Sequence, residues 1–162
     1  GLEYDDKGAI ARGGQINESL LQKLNQLTYY KKQGPKSLGK EWLDEQFWPL
    51  IDTRLKDRDV LRTLVEHMSD QISLSLASSK IGNGKVLVTG GGAYNDFLME
   101  RIRTKTEFEM VIPDPEMIEM KEALIFAFLG LLRLLDQKNI LSKVTGAKSA
   151  SISGALYNGQ QS

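Results

Sequence analysis

Apolar residues recur along this chain in two rhythms. Leu20, Leu21, Leu24 and Leu27 repeat at helical spacing behind Asn17, a good capping residue. A longer stripe of Val60, Leu61, Leu64, Met68, Ile72 and Leu76 predicts a helix over 57–79, capped by Asp57 or Asp59. The second rhythm is short and dense. "KVLVT" reads as a buried strand, and "EFEMVIPDP" as another ended by Pro113 and Pro115. Between them, Phe97, Leu98, Arg101 and Ile102 belong to a helix. Strand, helix, strand in that order is a βαβ unit, which implies parallel strands and a right-handed crossover.

Weaker signals fill the gaps. In "TYYKKQGPKSLGKEW", Gly34-Pro35 and Gly39 mark a loop, and four lysines make either a local basic patch or a solvated surface. A short helix over 41–47 should end near Pro49. A last helix over 117–135 carries the longest apolar run, Ala123 to Leu132, which is too short to span a bilayer and reads as buried. Its Met120, Phe126 and Phe128 suit a core or a partner surface better than a cofactor box. The coarse class is α/β with much helix and no internal repeat.

Composition narrows the function. With 162 residues, 41% hydrophobic and 26% charged, the chain is sized and composed for one globular domain. Lys plus Arg equals Asp plus Glu, 21 each, so no overall field draws it to nucleic acid or an anionic membrane. The lack of cysteine excludes disulfides and thiolate metal sites and suits a reducing, cytoplasmic setting. "GLEYDDKGAI" does not read as a signal peptide. His67, the single histidine, has no second histidine or cysteine beside it and reads as a partly exposed structural residue.

The candidate chemistry lies in "VLVTGGGAYNDFLMERI". Glycine tolerates positive φ and carries no obstructing side chain. Between a strand and a helix start, Gly90, Gly91 and Gly92 can bring amide groups close to a phosphate or nucleoside, or simply make a tight packed turn. Asn95 stands where a dinucleotide fingerprint needs its third glycine, although Glu109 and Asp114 lie near the distance of that fold's ribose-binding acid. No Lys-Ser or Lys-Thr follows at Walker-loop spacing.

Five stretches in order carry a resemblance over nearly all the chain. "YDDKGAIARGGQINESLLQKL", "GPKSLGKEWL", "VLVTGGGAYNDFLMERI", "KEALIFAFLGLLRL" and "LSKVTGA" together resemble the C-terminal half of the anhydro-N-acetylmuramic acid kinases. The resemblance implies residues 1–162 as a single C-terminal lobe of the actin-like ATPase (ribonuclease H-like) type, a mixed sheet flanked by helices. It implies ATP with Mg²⁺ as cofactors, 1,6-anhydro-N-acetylmuramic acid as substrate, and a homodimer, in peptidoglycan recycling. Gly90, Gly91 and Gly92 match the family's adenosine-side turn, with Asn95 following as an amide donor or a helix cap. Glu122 matches the family's sugar-facing glutamate; read on its own, it is a solvated acid beside Lys121. The first phosphate loop and the aspartate base belong to the family's N-terminal half, which has no counterpart here, so the chain alone should be inactive. In the loop from Pro35, Leu38 replaces a threonine and Lys40 an arginine, losing a hydroxyl and a bidentate guanidinium. Lys36 and Ser37 remain as ligand-contact or structural residues, and Thr145 and Gly146 receive no role.

Overall fold

The computed structural model describes residues 4–32, 36–79, 82 and 84–157. Gly34 and Pro35, which belong to the loop expected above, lie outside the described residues. The chain divides into two compact units, Gly1–Pro113 and Asp114–Ser162.

The first unit is organised around one long helix. Its elements are α1 (Ala9–Arg12), α2 (Glu18–Asn25), α3 (Asp57–Ser78), β1 (Lys85–Leu87), α4 (Asp96–Arg103) and β2 (Glu109–Val111). α1, α2 and α4 all pack on α3. Asn17 caps α2 as its sequence predicts, its side chain accepting the Leu20 N–H at 2.9 Å. Leu20 and Leu24 are buried. The core gathers Ala11, Val65, Phe97, Leu98, Met99, Ile102 and Met110, with Leu61, Leu76, Val86, Val88 and Ile112 packed around it.

α3 departs from its expected pattern. Neither Asp57 nor Asp59 caps it: Lys56 holds the N-cap position without a side-chain bond, and Asp59 Oδ1 instead accepts the Gln15 N–H at 2.8 Å. The buried positions are Thr63, Val65, Glu66, His67, Ser69 and Ser73, whereas Met68 and Ile72 are exposed. A mostly polar helix face is costly to bury unless its groups find partners, and most here do, the Ser73 hydroxyl excepted. Thr63 Oγ1 accepts the Asn17 N–H at 2.9 Å and donates to the Asp59 carbonyl at 2.7 Å. Ser69 Oγ donates to the Glu66 carbonyl at 2.8 Å.

The βαβ reading holds. β1 and β2 are parallel, with Lys85, Val86 and Leu87 opposite Glu109, Met110 and Val111. Among the described residues this sheet has two strands, and no mixed sheet forms. β1 is not a buried strand: Lys85 and Leu87 are exposed, and Lys85 pairs with Glu109 at 3.2 Å. The helical segment that starts at Lys40 ends beside Pro49, as expected, but not as a single α-helix. It passes through a π-helical stretch, Leu43–Phe47, into a 3₁₀ turn, Trp48–Leu50. Pro49 fits there because the start of a helical turn requires no N–H from it.

In the second unit, α5 (Pro115–Leu134) starts with proline at its first turn, and Asp114 caps it by accepting the Met117 N–H at 2.8 Å. Ile118 is its one buried residue. Leu124, Phe126 and Phe128 are 60%, 70% and 57% exposed, so the apolar run expected to be buried is uncovered in this chain. The tail is held by side chains. Arg133 Nε donates to the Gly154 carbonyl at 2.9 Å, and Asn139 bonds both the carbonyl and the N–H of Ser153. Ile140 and Ser151 form one antiparallel bridge. No helix among the described residues is long and apolar enough to cross a membrane.

Candidate functional site

β1 delivers the chain into the glycine turn. Gly90 has φ +85° and ψ 173°, a conformation essentially reserved for glycine. The next residues, Gly91–Tyr94, form a 3₁₀ turn, closed by the Ala93 N–H on the Gly90 carbonyl (2.9 Å) and the Asn95 N–H on the Gly92 carbonyl (3.1 Å). Asn95 then caps α4, its Oδ1 accepting the Leu98 N–H at 2.9 Å. Its carboxamide oxygen is thus committed to the helix start. Ala93 is buried beneath the turn, and Gly91 and Gly92 are exposed. A Cβ placed on any of the three glycines would meet no heavy atom within 4 Å. Packing in this chain therefore does not explain three glycines in a row, and only Gly90 is required by backbone conformation.

The structure brings Gly90, Gly91, Gly92 and Asn95 together on this turn. Glu122 lies in the second unit, exposed on α5. A groove of about 490 Å³ along α5 is lined by Asp114, Met117, Met120 and Leu124, among others, without Glu122. A larger groove of about 740 Å³ in the first unit, lined by Trp48, Ile51, Leu61 and Leu64 among others, includes none of the turn. Lys36 is engaged structurally. Its ammonium donates to the carbonyls of Tyr29 (3.2 Å), Tyr30 (3.4 Å) and Lys32 (3.3 Å), and lies 5.0 Å from the Tyr29 ring centre. Gly146, with φ +73°, ends the short turn Ser142–Thr145.

Two polar clusters escape sequence reasoning. His67 is 1% exposed, not partly exposed. Its Nδ1–H donates to Asn25 Oδ1 at 2.6 Å, which leaves Nε2 to accept from the Tyr30 hydroxyl at 2.9 Å. Burial holds its pKa below the usual 6.5, with Asp70 opposing. Burial also raises the Tyr30 pKa, and Tyr29 adds to the effect. Beside it in sequence on α3, Glu66 accepts two bonds from Arg101, at 3.0 and 3.1 Å. Lys105 stands 2.5 Å from Glu66 Oε1 and also pairs with Asp70, and Arg62 lies 3.6 Å away. Burial pushes the Glu66 carboxyl up, but bonds from Arg101 and Lys105 outweigh it and hold the pKa below 4.5. No sequence pattern marks either cluster, because the partners lie 35 to 42 residues apart in the chain.

A parallel βαβ unit with an open glycine turn at the head of its helix defines an α/β protein with a ligand-accessible strand-to-helix turn. The family model for anhydro-N-acetylmuramic acid kinase matches residues 1–159. Similar curated proteins carry the same name. The one from Pseudomonas savastanoi pv. phaseolicola is 33% identical over 95% of this chain, that from Coxiella burnetii 31% over 98%, and that from Aliivibrio fischeri 34% over 97%. In each case the match covers 44% of the relative, so the chain spans a little under half the length of these proteins. The chain belongs to the anhydro-N-acetylmuramic acid kinase family.

Proposed function

We propose that this chain is the C-terminal, nucleoside-side lobe of an ATP-dependent kinase that opens 1,6-anhydro-N-acetylmuramic acid and phosphorylates its 6-oxygen. The observation that carries the reading is the glycine turn. Three consecutive glycines have open space where side chains would stand, at the head of a capped helix, within a chain matched to the family over residues 1–159. That geometry fits a nucleotide, because backbone amides can approach it without obstruction. Residues 1–162 are read as one lobe of actin-like type.

In the proposed reaction, water attacks C1 of the sugar as the C1–O6 bond breaks. O6 takes the γ-phosphoryl group, the bond to the β-phosphate oxygen breaks, and ADP leaves. The water's proton passes to a base, expected in the half of the family's enzymes that this chain does not match. Within this chain, Gly90, Gly91 and Gly92 would admit the nucleoside end of ATP, with the Asn95 amide at its edge. Glu122 would accept a hydrogen bond from a sugar hydroxyl. Mg²⁺ would neutralise phosphate charge in the whole enzyme. Among the described residues no three or more His, Asp or Glu side chains gather to hold a metal, so no step through it is assigned to this chain.

The reading gains support from the uncovered apolar face of α5, which suits a lobe that docks against another surface, be it the other half or a second copy. The test is an ADP-release assay with the anhydro-sugar, run on the chain alone and with the N-terminal half of a relative supplied. Turnover is expected only in the mixture. Normal turnover by the chain alone would refute its inactivity. A silent mixture that nevertheless forms the complex would refute the kinase-lobe role.

A further inference from the structure

The turn Asp6–Gly8 is built for close approach to Asn95. Lys7 and Gly8 both adopt positive φ, 54° and 75°, a consecutive left-handed pair that is rare unless glycine supplies it. Asp5 holds the pair in place. Its carboxylate oxygens accept the N–H groups of Ile10 (2.8 Å) and Ala11 (3.0 Å), and its carbonyl accepts that of Gly8 (3.1 Å). The result is bare backbone against the cap of α4. A Cβ on Gly8 would stand 2.3 Å from Asn95 Oδ1 and 2.6 Å from Phe97 Cβ, far inside van der Waals contact. Arg12 fastens α1 to the same helix, pairing with Glu100 at 2.7 Å and lying 4.6 Å from the Phe97 ring centre.

Asn95 is therefore held from two sides. Its oxygen is fixed on the Leu98 N–H, and that oxygen packs where a residue-8 side chain would be. Its amide nitrogen donates to no acceptor among the described residues. We propose that Gly8 is a positioning residue for the nucleotide-side turn: its missing side chain fixes the Asn95 carboxamide with the oxygen inward and the amide free for an acceptor atom of the nucleotide. This role rests on the nucleotide reading above. It extends the site to a turn 87 residues earlier in the chain (95 minus 8). Gly8→Ala forces Asn95 to rotate or withdraw, which spoils the cap and turns the amide away.

The test titrates MgADP to millimolar concentration into the isotope-labelled chain. It follows the backbone amides of Gly90, Gly91 and Gly92 and the Asn95 side-chain NH₂ by NMR. In the wild type the probe is expected to move these signals. Gly8→Ala is expected to displace the free Asn95 NH₂ signals and weaken binding about tenfold. Leu24→Ala, a core truncation on α2, should lower the melting temperature yet keep affinity within about twofold, separating positioning from general stability. A folded Gly8→Ala that binds within about twofold of wild type overturns the positioning role. If Gly8→Ala does not fold, Asp5→Asn loosens the same turn by removing one acceptor; about threefold weaker binding supports the role and unchanged binding overturns it. A wild type whose turn signals ignore MgADP refutes the nucleotide reading itself, and this role with it.

Discussion

Glu66→Ala removes the anion that three cations share. Glu66 presents a side chain only 9% exposed, while Arg101 and Lys105 are 26% and 19% exposed. Truncation leaves the Arg101 guanidinium without its bidentate partner in a partly buried place, while Lys105 keeps Asp70 and the residue-66 carbonyl. Breaking a fully buried pair costs about 3–5 kcal/mol. Residual solvent access and the surviving Asp70 contact put this case at the lower end, about 3 kcal/mol. Glu66→Gln keeps one accepting oxygen and should lose less, about 1–2 kcal/mol. Urea unfolding followed by circular dichroism at pH 7 measures both. The acid limb adds a second check. Because the folded pKa of Glu66 is held below 4.5, the unfolded chain takes up the proton first as pH falls. The stabilisation is complete above that value and is lost as pH drops through the folded one, so Glu66→Ala should flatten the acid limb. A loss under about 1 kcal/mol for Glu66→Ala, with an unchanged acid limb, would refute the reasoning: the cluster would then be solvated like a surface pair.

His67 carries the opposite charge logic on the same helix. Its folded pKa lies below 6.5, so stability is full above that pH and falls by up to about 1.4 kcal/mol per pH unit until the folded value is reached. Melts from pH 7.5 to 5 should show this slope in wild type and lose it in His67→Gln; equal slopes would count against it. Gly90→Ala should cost about 1–3 kcal/mol through backbone strain, while Gly91→Ala should leave the melting temperature unchanged. If the turn binds nucleotide, Gly91→Ala still weakens MgADP binding, and unaffected binding argues for a plain turn. Glu122→Gln, exposed on α5, should change stability by less than about 0.5 kcal/mol; if Glu122 contacts the sugar as proposed, it also lowers turnover of the anhydro-sugar by the complete enzyme. Wild-type turnover in that variant would remove Glu122 from the site.

The features legible in the sequence are those written in neighbouring residues. Asn17 and Asn95 sit at helix starts, and both cap. The glycine run between "KVLV" and the helix of Phe97 announces a βα turn, and the parallel pairing follows from chain order. Glu122 stands out only through resemblance to a family, and Gly8 carries no such signal. Its reason is a contact with Asn95, and a single sequence holds no trace of such distant approaches. The same blindness explains α3. Periodicity assigns the inner face to Val60, Leu61, Leu64, Met68, Ile72 and Leu76; Leu61 and Leu76 do pack on the core, but Met68 and Ile72 are exposed, and Glu66, His67, Ser69 and Ser73 are buried. Local hydropathy cannot foresee that Asn25, Tyr30, Arg101 and Lys105 arrive from elsewhere to satisfy two of them. α5 inverts that lesson: its apolar composition predicts burial, yet Phe126 and Phe128 are exposed among the described residues.

The contact between Gly8 and Asn95 also sets a schedule for synthesis. A ribosome delivers the chain from its N-terminal side at about 5–20 residues per second, so Asn95 follows Gly8 by on the order of 4–17 s. Throughout that interval Ala11, which ends fully buried, has neither Phe97 nor Ile102 to rest against. The left-handed pair at Lys7 and Gly8 has the local bonds to Asp5, from its carboxylate and its carbonyl, to hold it. The residues around Gly8 are therefore made before their partners and settled late. A nascent chain halted before α4 emerges would display them to chaperones and proteases, and their protection would begin only when the helix carrying Phe97 clears the exit tunnel.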